Sequence, residues 1–173
     1  DLLTNYQFDP IAEEKLIESA LDVFENVTGR KSKGWLSSSL RSTPNTPEIL
    51  TKKGLIFICD YMNDEQPYLM NTEFGPIVAI PYSIEINDFG YFLRRNLSTS
   101  ESLILLKEQF DELYRESEKT GKLMSVGLHP HVSGHPFRIR AIREFLKYAS
   151  GFDDVWWPTR EELAVWYLEN FAS

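Results

Sequence analysis

All three histidines of the chain, His129, His131 and His135, fall within LHPHVSGHP, from Leu128 to Pro136, directly after a hydrophobic segment. Imidazole trades protons near neutral pH, so a histidine placed first beyond a buried strand can serve as acid or base toward a ligand. The same residue can equally do no more than hydrogen-bond a neighbouring loop. A zinc site made from all three is disfavoured: Pro130 stiffens the loop, and zinc draws its ligands from spaced elements or from one helix turn. His135, just before Pro136, reads as a helix-start residue.

Carboxylates supply the second set of candidates. Asp60, Asp64 and Glu65 lie around CDYMNDEQPY, and Glu85 and Asp88 lie in SIEINDF. At strand ends such groups act as general bases, hold a histidine in one tautomer, or bind a metal. Most loop carboxylates in so acidic a chain are simply solvated, but Asp60 stands apart because it terminates the apolar run LIFIC. Arg41, in LRSTPNT, is a surface arginine, a partner for one of these acids, or a planar clamp for a polar substrate. Trp35, Trp156 and Trp157 read as core residues at strand positions, with one of the adjacent pair facing the other way toward a pocket. The chain has no nucleophile elbow, phosphate loop, dinucleotide fingerprint or paired-histidine zinc helix. Covalent serine catalysis, nucleotide hydrolysis and hydride transfer therefore lack support, and water-mediated hydrolysis or simple binding remains.

The elements that must carry these residues alternate. Asp9 with Pro10 opens an amphipathic helix, with Ile17, Ala20, Leu21 and Phe24 on one face and Gly29 as its stop. Gly34 to Leu36 reads as a short strand, Thr46 and Pro47 as the start of a short helix, and Leu55 to Asp60 as a buried strand. A polar loop precedes a strand at Pro76 to Pro81, and a long connection follows. Ser98 with Glu101 forms a capping box for a helix lined by Leu103, Leu106, Phe110 and Leu113. Leu123 to Leu128 is the next strand, and a helix from Pro136 turns Ile139, Ile142, Leu146 and Ala149 inward. Asp154 to Trp157 is a last strand, before a helix capped by Thr159 and Glu162. Such alternation predicts an α/β fold with a parallel sheet covered by helices, open or closing toward a barrel. Ligands of such folds lie beyond the C-terminal strand ends, where Asp60, Tyr82 and His129 all fall.

Composition narrows the partners. With 173 residues, 42% of them hydrophobic, and a formal charge of -8, one globular domain is expected, repelled by nucleic acid and by anionic membranes. The single cysteine, Cys59, sits in an apolar run, reads as core, and points to a reducing compartment such as the cytoplasm. There is no apolar run long enough for a membrane span and no signal-peptide pattern. The chain begins at Asp1, without methionine, which leads us to expect further chain upstream.

Taken in order, GWLSSSLRSTPNTPEIL, CDYMNDEQPY, IPYSIEINDF, GLHPHVSGHPFRIRAIREFL and VWWPTREELAVWY resemble the C-terminal part of the polysaccharide deacetylase family. The branch is the one that includes deacetylase-like allantoinases and peptidoglycan or chitin deacetylase-like proteins. The resemblance implies a distorted (β/α) barrel, with residues 1–173 as the C-terminal portion of a single catalytic domain, and hydrolysis of a carbon-nitrogen bond outside peptides. It implies that His129 is the general acid protonating the departing amine; Asp60 is read as a second catalytic residue from its place at the end of an apolar strand, not from the resemblance. Arg41 and Asn45 match an Arg-x-x-Pro-Asn-Thr loop and would orient substrate or a carboxylate. Tyr82, Asn87 and Asp88 match a Pro-Tyr followed by Asn-Asp and would shape the substrate pocket, with Trp35 as a wall. The family's base aspartate and metal-binding Asp and His-x-x-x-His set are not matched, nor is its Arg-Pro-Pro-Tyr motif. Any zinc ligands are expected upstream of this chain. The expected substrate is a small molecule or carbohydrate, and the expected protein partner is a second copy or the missing N-terminal half. The alternatives are an allantoinase-type cyclic amide hydrolase and a catalytically silent binding or assembly domain.

Overall fold

The computed structural model describes residues 9–172. In chain order its elements are α1 (Pro10–Thr28), β1 (Gly34–Trp35), α2 (Thr46–Lys52), β2 (Phe57–Ile58), β3 (Tyr68–Thr72), β4 (Gly75–Ala79), α3 (Thr99–Ser117), α4 (Pro130–Ser133), α5 (Pro136–Ala149) and α6 (Arg160–Phe171). A 3-10 turn at Ser38–Leu40 and a π-helix at Phe89–Arg94 complete the set. The chain forms two compact units. One comprises the chain up to Tyr61, Pro67–Ile80 and the chain from Pro158; the other comprises Met62–Gln66 and Pro81–Trp157.

The first unit is the sheet and its helices. Asp9 caps α1 by accepting from the N–H groups of Ile11 and Ala12, at 3.0 and 3.3 Å, and Gly29 ends the helix in the left-handed region at φ 70°. The strands are ordered β1-β2-β4-β3. β1 pairs with β2, and β2 with β4, in parallel. β3 is antiparallel to β4, in register from Tyr68↔Ala79 to Thr72↔Gly75. The segment read as a polar loop thus contains an edge strand. Its hairpin turns at Gly75, where φ is 117°, and the Thr72 hydroxyl donates to the Gly75 carbonyl at 2.7 Å. Ile17, Ile49, Leu50, Leu55, Ile58 and Ile77 form the core, each contributing about 1.5–3 kcal/mol by burial.

The second unit is helical. The capping box of Ser98 and Glu101 starts α3, whose Leu106 and Phe110 pack with Ala141, Ile142, Phe145 and Ala149 of α5. Phe145, not Leu146, is the inward residue, and Leu146 is exposed. The helical period that includes Ala141 and Ile142 returns at Phe145 and Ala149, which leaves Leu146 to solvent. Two expected strands do not form. Leu123 to Leu128 makes only a single parallel bridge, Gly127 with Asn87, because the chain opposite turns at Ile84–Asn87 and then enters the π-helix. Asp154 to Trp157 has no ladder partner among the described residues; Trp156 and Trp157 are both exposed, correcting the core placement expected of them. No helix among the described residues is long and apolar enough to cross a membrane.

Candidate functional site

The second unit brings together four of the expected site residues. His129 stands at the N-cap of α4, a single turn that Pro130 starts by fixing its first φ. Asp88, reached just before the π-helix, is 0% exposed. Its Oδ2 accepts from the His129 backbone N–H at 2.7 Å and from the Ser133 hydroxyl, and its Oδ1 lies 2.6 Å from His129 Nδ1. A buried carboxylate next to a ring nitrogen is satisfied when that nitrogen carries the proton, so neutral His129 is held as the Nδ1–H tautomer. The His129 side chain is 40% exposed, and its Nε2 makes no hydrogen bond among the described residues. The available nitrogen is therefore the outer one. Phe89 borders the imidazole, with ring centroids 6.0 Å apart, and His131 meets it edge-on at 5.6 Å.

Neighbouring residues set the pair's position. The Asp88 N–H donates to the Gly127 carbonyl at 2.9 Å, and Asn87 Nδ2 donates to the Tyr82 hydroxyl. A side chain at position 127 would bring its Cβ to 2.1 Å from the Tyr82 oxygen and 2.6 Å from Asn87 Nδ2, so these two side chains close on the bridge as they do because position 127 is glycine. Asp88, expected to shape the substrate pocket, is fully buried with its carboxylate on the His129 ring. Tyr82 and Asn87 are half-buried beside it. Tyr91 is core, and burial pushes its phenol well above the ordinary range, with the Asp88 charge adding to the effect.

The first unit gathers a different pair. Asp60 is 4% exposed, and its oxygens accept from the Ser37 N–H at 2.7 Å and from the Ser37 hydroxyl at 2.5 Å. The Ser37 oxygen in turn accepts from Trp35 Nε1 at 3.0 Å, so Asp60 fixes the indole through one serine. Burial raises the Asp60 carboxyl above its usual value, against the hydrogen bonds from Ser37 and Ser42. Arg41 and Asn45 are exposed on the Ser/Thr loop, and the Asn45 side chain makes no capping bond to α2 although it occupies the cap position. Beneath that loop lies a carboxylate the sequence reading misses. Glu13 of α1 is buried and accepts from the hydroxyls of Thr43 at 2.7 Å and Thr46 at 2.5 Å. The signal was its place one turn before Ile17 on the apolar stripe. Ser133 was also legible in principle, one turn after His129 behind a helix-starting proline. Cys59 is buried and unpaired, and burial pushes its thiol up to about 11.

No group of three His, Cys, Asp or Glu side chains comes together among the described residues, so they do not make up a zinc site. His129 has its Nδ1 committed to Asp88, and His131 and His135 are exposed without joining it in a ligand set.

Fold and cluster together define an α/β protein of mostly parallel strands that carries an aspartate-fixed histidine. No family model matches the chain. It is 29% identical over 119 residues to a provisionally named polysaccharide deacetylase of Schizosaccharomyces pombe (strain 972), a match covering 62% of this chain and 37% of that protein. Two solved structures, Puue allantoinase and a probable polysaccharide deacetylase from Pseudomonas aeruginosa PAO1, each overlie it at a TM-score of 0.88 with 28% identity. They match 98% of this chain and 57% and 58% of their own. The chain is thus related to the polysaccharide deacetylases and shares their α/β fold, while spanning less than two thirds of the length of these relatives.

Proposed function

We propose that the chain serves an amide hydrolase acting on a carbon-nitrogen bond outside peptides, removing an N-acyl group from an amino sugar or polysaccharide. The observation that carries this reading is the Asp88–His129 pair. With Nδ1–H held by a buried carboxylate, Nε2 can take a proton, the resulting imidazolium is stabilised by Asp88, and the proton can pass to the departing nitrogen. An amine leaves poorly without that proton, so this is the half of an amide hydrolysis the cluster can perform. Asp60, with both oxygens serving Ser37, supports the reading as the fixture of the Trp35 wall.

A cyclic amide substrate is the second reading, favoured by the equal likeness to an allantoinase structure. Acetate release from N-acetylated amino sugars, set against ring opening of allantoin followed as acid production, separates the two. His129→Ala is expected to lower turnover of the accepted substrate by about 10²-fold while leaving the fold intact, since the ring is partly solvated; unchanged turnover rejects the role. Three parallel strands with a free edge at β1 support continuation of the sheet into a barrel, and the buried unpaired Cys59 supports a cytoplasmic location.

A further inference from the structure

Ser133 closes the turn that carries His129. It is the last residue of α4 and is 3% exposed; its backbone N–H donates to the His129 carbonyl at 2.9 Å, and its hydroxyl donates to Asp88. The acceptor there is Oδ2, which also takes the His129 backbone N–H at 2.7 Å. Both ends of one helical turn are thus fastened to a single carboxylate oxygen, and the other oxygen, Oδ1, meets His129 Nδ1 at 2.6 Å. Among the described residues the Asp88 carboxylate has no donors besides these three. The torsion that turns an aspartate carboxylate has only broad, two-fold preferences, so its plane pivots readily unless hydrogen bonds stop it. A backbone N–H alone on Oδ2 would leave that pivot open, and a second donor from the far end of the turn closes it.

We infer that Ser133 is a positioning residue for His129: its hydroxyl locks the plane of the Asp88 carboxylate, so that Oδ1 faces Nδ1 and the ring keeps its proton there. Packing does not call for a hydroxyl at this place. Alanine would build the same helical turn with no buried hydroxyl to satisfy. The hydroxyl also helps to keep the fully buried Asp88 an anion, the form that can accept from Nδ1–H.

The catalytic consequence rests on the role proposed above for Nε2 toward a departing nitrogen, whereas the positioning does not, and the two are read separately. The ring is followed in the folded chain without substrate, by long-range proton–nitrogen correlation with the imidazole neutral and its signal assigned by loss in His129→Gln. Wild type should show one tautomer, protonated at Nδ1; Ser133→Ala should show a mixture, its ratio moved roughly tenfold or more toward Nε2–H. Ser133→Cys, close to serine in size but a weak donor, should follow alanine. With whichever amide is turned over, Ser133→Ala should lower kcat roughly 3- to 10-fold and leave KM unchanged, a smaller loss than removal of the carboxylate itself. A Ser133→Ala ring with the wild-type tautomer would overturn the inference. So would full recovery by cysteine, which would reduce Ser133 to a filler of the turn. A mixed tautomer in the variant of a chain that turns over neither N-acetylated sugars nor allantoin would uphold the positioning and count against the hydrolase reading alone.

Discussion

Replacing Asp88 by asparagine tests the Asp88–His129 pair without changing its size. The carboxylate accepts three hydrogen bonds, from the His129 N–H, His129 Nδ1 and the Ser133 hydroxyl. Asparagine has one acceptor oxygen and a donating amide nitrogen. If the oxygen keeps the His129 N–H and Ser133, the amide nitrogen faces Nδ1 and can only donate, so neutral His129 must move its proton to Nε2. The imidazolium also loses its anionic partner. A hydrogen bond to a charged group contributes about 1.5–3 kcal/mol, and 40% exposure of His129 places this one toward the lower end. The expected loss is roughly 10- to 30-fold in turnover, at about 1.4 kcal/mol per tenfold. Long-range proton–nitrogen correlation spectra of the imidazole read the tautomer directly and need no substrate. With the ring neutral, wild type should show Nδ1 protonated and Nε2 bare; Asp88→Asn should show the reverse. An unchanged tautomer in the variant would refute the assignment of Asp88 as the group that orients His129, whatever happened to activity.

Gly127→Ala should destabilise the chain by about 1–3 kcal/mol, seen as a lower urea midpoint, because its Cβ would fall at 2.1 Å from the Tyr82 hydroxyl oxygen; an unchanged midpoint would remove the close-approach argument. Glu13→Ala should cost about 2–4 kcal/mol, since the Thr43 and Thr46 hydroxyls lose a buried acceptor, and Glu13→Gln should cost less. A loss below roughly 0.5 kcal/mol for Glu13→Ala would show the loop does not depend on it. Asp60 supplies a pH test. Its folded carboxyl is raised by burial, so the native state holds the proton more tightly than the unfolded chain. That contribution is fully present below the unfolded value, about 3.9, and is lost as pH rises through the folded one. The stability of wild type relative to Asp60→Asn should therefore improve as pH falls from neutrality toward the unfolded value. Urea midpoints at several pH values check it, and a gap that moves the other way contradicts the burial argument.

Features set by near neighbours in sequence were legible. Asp9 and Gly29 bound α1, Ser98 with Glu101 starts α3, and Thr159 with Glu162 starts α6, because each cap needs only residues within one turn. The failures share a different cause. Leu123 to Leu128 has the composition of a strand, but pairing requires a straight partner, and the chain beside it turns at Asn87. Tyr68 to Thr72 looks polar and yet is a strand, because β4 offers it an edge. Chemistry divides the same way. His129 was marked by its position beyond an apolar run, whereas Asp88 contacts it from 41 residues away and nothing local announces the pair.

One bridge joins those two distant segments. Asn87 pairs with Gly127, the Asp88 N–H bonds the Gly127 carbonyl, and the carboxylate of that same Asp88 reaches the His129 ring two residues beyond Gly127. A strand's side chains alternate between faces, so a slip of one residue at this bridge would turn Asp88 away from the imidazole and put Asn87 or Phe89 in its place. A single pair fixes register weakly, and the closeness of Tyr82 and Asn87 to the bare Cα of Gly127 adds the missing selectivity, since any neighbouring residue would bring a Cβ into that gap. The glycine therefore works at a distance from the reacting group: it decides whether a carboxylate faces the histidine, and so which ring nitrogen is left to meet a substrate.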